Sequence, residues 1–162
     1  MLVGERPLTA FDVVRVARHR ETVALASAAT ARAHRAWELA QARAQRGATI
    51  YGITTGVGAL RDRAIAEAEQ AEFNRRLLRS HQVATGPAAP EEVSRAALIC
   101  LLNQLCTGFA PARPILLERL VEAINGDPPP PLRLRGSVGA SDLGPNADLA
   151  AALYADVPLE PG

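Results

Sequence analysis

The sequence predicts a mainly α-helical domain, and two observations carry that reading. Hydrophobic residues make up 48% of the chain but aromatic residues only 4%, a balance rich in Ala, Leu and Arg that suits helices packed closely through small side chains. Apolar residues then recur at helical spacing between Gly and Pro punctuation along most of the chain. At 162 residues it reads as one domain, residues 1–157, with a short tail at 158–162 that cannot fold alone.

Each element follows from local chemistry. Thr9 and Asp12 predict a helix start, a hydroxyl capping the first turn and a carboxylate at its positive end, ahead of the apolar face Val13, Val14, Val16 and Ala17. A longer helix is expected from Ser27 to Arg46, with Ala28, Ala31, Trp37 and Leu39, ended by Gly47. The β-branched residues that open segment 48–58 predict a short strand, which Gly52, Gly56 and Gly58 convert into a loop whose backbone can approach a ligand closely. Helix returns over Ala66–Ser80, with Phe73, Leu77 and Leu78 expected in the core. Pro90, Glu91 and Glu92 suit a first turn, and that helix runs through Ala97, Leu98, Leu101 and Leu105 to Gly108. A further helix covers Ile115–Asn125. Pro128 to Pro131 must be extended, and the last helix spans Pro145–Tyr154.

Composition narrows the function classes. Lys and Arg total 18 against 17 Asp and Glu, a net charge of +1, and the arginines are interspersed with acids, which argues against a nucleic-acid footprint. No apolar run reaches the roughly 20 residues of a membrane span, and residues 1–6 do not lead into a signal-peptide core, so a cytoplasmic location is expected. Cys100 and Cys106 lie too far apart for a CxxC motif and read as buried free thiols; no metal site is expected.

Four landmarks in order then resemble one family. Tyr51-Gly52-Ile53-Thr54-Thr55-Gly56-Val57-Gly58 resembles the Tyr-Gly-Val-Asn-Thr-Gly-Phe-Gly loop of the aromatic amino acid ammonia-lyases and aminomutases. Leu77-Leu78-Arg79-Ser80-His81 resembles their Leu-Leu-Arg-Ser-His helix end, and Gly108 to Pro114 fills a third landmark. Gly136-Ser137-Val138-Gly139-Ala140-Ser141-Asp142-Leu143-Gly144-Pro145 resembles Gly-Ser-Val-Gly-Ala-Ser-Gly-Asp-Leu-Ala-Pro, with the glycine between Ser141 and Asp142 missing.

The resemblance implies the N-terminal portion of the ammonia-lyase helical fold, of the fumarase/aspartase-like superfamily. It implies Tyr51 as the base that takes a β-proton, a role a phenol can fill when a donor or positive charge favours its anion. Tyr51, Ser141 and Asp142 are the expected catalytic residues, and Gly58, Ser80 and His81 the expected substrate-binding positions. The Ser80-His81 pair resembles the histidine enzymes, since an imidazole can bond a polar ring; a histidine bonding the last carbonyls of its helix is the structural alternative.

In the family the Ala-Ser-Gly tripeptide becomes a methylidene-imidazolone. Here Ala140, Ser141 and Asp142 stand in its place, and the expectation is against cyclisation, because Asp142 must supply the nitrogen that glycine supplies at least steric cost. An unmodified Asp142 at a helix start could instead hold an ammonium group or serve only as a cap. Family members are several times longer, so the expected partner is a second, longer lyase-like chain carrying the helical bundle, in a higher hetero-oligomer. Three functions are open: the N-terminal subunit of a split lyase or aminomutase acting on histidine or a related amino acid, a same-fold enzyme without the electrophile, and a non-catalytic partner subunit.

Overall fold

The computed structural model describes residues 1–137, 139 and 141–154; Ala140, the domain end at 157 and the tail at 158–162 lie outside the described residues. The elements run β1 (Leu2–Val3), α1 (Ala10–Ala17), β2 (Ala24–Leu25), α2 (Ser27–Gln45), α3 (Glu67–His81), β3 (Thr85–Ala88), α4 (Glu91–Leu105), α5 (Pro114–Asn125), β4 (Arg133–Arg135) and α6 (Leu143–Leu153). No helix among the described residues is long and apolar enough to cross a membrane.

The start of α1 is a reciprocal cap. Thr9 Oγ1 accepts the Asp12 N–H at 3.3 Å while the Thr9 N–H donates to the Asp12 carboxylate at 2.9 Å, so two otherwise orphaned donors are satisfied. Arg6 donates to both Asp12 oxygens at 2.8 and 2.9 Å. The Arg6 guanidinium, with the Thr9 amide and hydroxyl, holds the Asp12 carboxyl well below the usual carboxylate range.

The core lies where α1 and α5 pack against α4. Val16, Leu98, Ile99, Leu102, Leu117, Leu120 and Ile124 are all buried there. Helix α2 joins through Ala29 and Ala33, small side chains that let backbones approach closely; Ala28, Ala31 and Leu39 of the expected pattern face outward. Arg95 is 3% exposed and donates to the carbonyls of Ile124 and Gly126, satisfying the end of α5. Cys106 is buried, and burial pushes its thiol up. Cys100 departs from expectation and is exposed, because the face of α4 that carries Leu98 and Leu102 is the one turned to the core.

Three further departures have local causes. Segment 48–54 is not a strand but irregular chain leading into a turn at 51–54: the Thr54 hydroxyl accepts the Ile50 N–H at 2.8 Å and donates to Ala48 O at 3.0 Å, so a side chain closes the backbone on itself. Just beyond it, Thr55 forms an isolated antiparallel bridge with Ala64. Phe73, Leu77 and Leu78 are half-buried, since α3 has no fully buried residue and packs chiefly on α6. The last helix begins at Leu143, ahead of Pro145.

The antiparallel pair β3 and β4 positions everything that follows. It joins Thr85 to Arg135 and Ala88 to Arg133, so the chain just after α3 lies beside the chain that leads to the 141–142 turn. Gly136 makes that contact possible: a Cβ there would stand 2.7 Å from Ala84 Cα, and no side chain fits that space.

Candidate active site

A cleft of about 610 Å³ opens between the 51–59 loop, the C-terminal end of α3 and the first turns of α6. Tyr51, Gly58, His81 and Ser141 line it, residues separated by up to 90 positions. Its walls are otherwise mostly apolar, from Val57, Leu77, Leu78, Leu143 and Ala147, with Asn146 as a further polar group. An apolar hollow with a few convergent polar groups is the ordinary form of a small-molecule site.

Tyr51 is 64% exposed, and its phenolic oxygen accepts the Gly58 N–H at 3.1 Å. The loop therefore fixes its own tyrosine across a seven-residue span. His81 is the last residue of α3, and its Nδ1 lies 2.8 Å from Leu77 O and 3.1 Å from Ser80 Oγ. The helix-end bond foreseen as the structural alternative is present, and the same ring lines the cleft, so the two readings of His81 are compatible.

Ser80 departs from its neighbour. It is exposed, donates to Leu77 O at 2.9 Å, and lines an adjoining groove along α3 with Phe73, Arg76 and His81, not the cleft that holds Tyr51. Asp142 occupies the residue before α6 in the left-handed conformation, φ 45° and ψ 45°, with no side-chain cap to the helix. It is absent from the cleft lining; its carboxylate accepts a hydrogen bond from the Ser137 hydroxyl.

Asn146, which lines the cleft, and Ser137, which holds the Asp142 carboxylate, were not singled out by the sequence. Asn146 donates Nδ2 to Ser141 O at 3.1 Å. Its position in the first turn of a helix, beside a Ser-Asp turn, was the available signal, since such side chains commonly bond back to nearby backbone. Among the described residues no group of acidic, His or Cys side chains could hold a metal ion.

The 141–142 turn also bears on the family's electrophile. Asp142 brings a Cβ to a left-handed position and a carboxylate already engaged by Ser137, where the cyclising tripeptide calls for glycine. These residues do not fit the methylidene-imidazolone.

Known proteins share this sequence and fold. The family model for aromatic amino acid lyases matches residues 8–159. The chain is 35% identical to the MIO-dependent tyrosine 2,3-aminomutase of Streptomyces globisporus over 155 residues, 95% of this chain and 29% of that protein. It is 37% identical to the histidine ammonia-lyase of Caldanaerobacter subterraneus subsp. tengcongensis over 150 residues, 92% of this chain and 30% of that one. The ergothioneine-degrading ergothionase of Treponema denticola superposes with a TM-score of 0.90 at 30% identity, covering 94% of this chain and 31% of that chain. The chain thus spans about 30% of the length of the relatives it matches. With a family match across nearly all the chain and the same fold, it belongs to the aromatic amino acid lyase family.

Proposed function

We propose that the cleft handles histidine or a related amino acid in a lyase-type site, and that Tyr51 takes a proton from the ligand's β-carbon. The observation that supports it is the convergence of Tyr51, Gly58, His81 and Ser141 on one largely apolar hollow. The Gly58 N–H donates into the Tyr51 oxygen, a bond that strengthens when that oxygen carries negative charge. In an elimination the phenolate oxygen takes the β-proton, the electrons of the broken C–H bond form the C=C bond, and the α-ammonium leaves as ammonia. In an aminomutase the amino group would re-add. His81 meets the polar side chain of the ligand, and the leucines pack its carbon skeleton.

Further lyase-type polypeptide completes the site in this proposal, as the longer partner of a hetero-oligomer. The half-buried α3 and the strongly exposed Phe109 (93%) and Phe11 (82%) support that reading, since isolated domains seldom expose such apolar surface. The Asp142 turn favours the second reading, a same-fold enzyme whose chemistry proceeds without the electrophile. The test is ammonia release by the native assembly offered histidine, phenylalanine and tyrosine. Turnover of histidine that His81→Leu redirects toward the other two is the expected result. No reaction and no binding with any of the three overturns the proposal.

A further inference from the structure

Two consecutive residues, Ser141 (φ 59°) and Asp142 (φ 45°), occupy the left-handed region, which a residue with a Cβ enters only at a cost. Such a turn persists where its surroundings over-determine it. Here two side chains grip it from opposite ends. Ser137 Oγ donates to the Asp142 carboxylate and accepts the Gly139 N–H at 3.1 Å. Asn146 donates Nδ2 to Ser141 O at 3.1 Å, and its backbone N–H bonds Asp142 O at 3.0 Å.

We propose that Ser137 and Asn146 are positioning residues that hold this turn uncyclised, so that an unmodified Ser141 stands on the cleft wall as a hydrogen-bonding group for the ligand. Ring closure needs the Asp142 amide nitrogen as nucleophile. That nitrogen belongs to the same peptide group as Ser141 O, the atom that Asn146 pins. A donor on the oxygen draws the amide's electrons away from the nitrogen, and it fixes the plane that would have to turn for attack. Ser137 restrains the other side of the same residue through its carboxylate. The clamp therefore does by hydrogen bonds what a covalent ring does in the family: it fixes residue 141 on the cleft. Ser141 and Asn146 line the cleft together with Tyr51 and His81, so loosening the clamp reaches the ligand directly.

The ligand role rests on the function proposed above, and the state of the turn does not, which lets one set of experiments separate them. The peptide spanning 136–146 of the full-length protein is weighed by mass spectrometry, and its amide exchange is followed in the wild type, Ser137→Ala, Ser137→Thr and Asn146→Asp. An unmodified mass is expected; loss of two waters overturns the proposal. Exchange should rise, and histidine affinity in the native assembly fall, by about fivefold in Ser137→Ala and in Asn146→Asp, whose carboxylate cannot donate to Ser141 O. Ser137→Thr keeps the hydroxyl and should behave as wild type. Unchanged exchange in both Ser137→Ala and Asn146→Asp overturns the clamp. Histidine that fails to bind even the wild type contradicts the proposed function, while mass and exchange still decide the turn.

Discussion

Helices α4 and α3 are both 15 residues long, yet the fold uses them in opposite ways. Helix α4 buries Ser94, Arg95, Leu98, Ile99, Leu102 and Leu105 and organises the scaffold. Helix α3 buries no residue completely and gives its exposed end, with His81, to the cleft. Buried contacts are concentrated in one half of the molecule, and the candidate cleft lies in the other. A site half with few buried contacts is also the half that yields first in local unfolding.

That contrast can be broken by mutation, and the largest effect is expected in the scaffold. Leu120 is fully buried, and Leu120→Ala should cost about 2–5 kcal/mol in urea unfolding by transfer loss and cavity. Next comes Gly4→Ala, where the new Cβ would stand 2.4 Å from Ala29 Cβ at a φ of +88°. Overpacking of that kind costs about 1–3 kcal/mol, and a neutral result would mean that β1 shifts freely on α2.

Asp12→Asn sharpens the electrostatic side of the scaffold. The folded carboxyl is held below its ordinary value by Arg6 and Thr9, so its contribution is complete above about pH 4, the unfolded value. It fades as pH falls below that point toward the folded value. Asp12→Asn should therefore be less stable than wild type at neutral pH, with the two converging as urea unfolding is repeated at progressively lower pH. A gap that widens in acid would contradict the sign. The smallest effect belongs to the site half: Leu77→Ala, in a half-buried position, should cost below about 1 kcal/mol and leave the scaffold's melting unchanged, because only partial transfer is lost.

The same division explains what could be read before folding. Helices were legible where local chemistry decides them, as in the Thr9–Asp12 box and the stop at Gly47. Side-chain faces were less so: Ala29 and Ala33 are buried and Ala28 and Ala31 exposed because of which neighbours α2 packs on, Gly4 beside Ala29 among them. The β-branched Thr49 and Ile50 suggest a strand, but the Thr54 hydroxyl captures their backbone, and no periodicity foretells that. The β3–β4 pairing joins segments some 50 residues apart through an irregular register, which short-range patterns cannot encode. Tyr51, His81 and Ser141, singled out by their motifs, line one cleft, whereas the Ser137 and Asn146 bonds depend on the left-handed turn that short-range patterns do not encode. Asp142 was expected to face the ligand, and the Ser137 bond holds its carboxylate instead.

The claim that the α3–α6 cleft is the reacting site is tested most directly by Tyr51→Phe in the native assembly. The phenol is exposed and its oxygen accepts the Gly58 amide bond, so its loss should scarcely move the melting temperature. The account predicts normal assembly, histidine binding within about threefold of wild type, because the apolar walls remain, and loss of turnover by at least about 100-fold, the range of a missing general base. Turnover by Tyr51→Phe at the wild-type rate would contradict it.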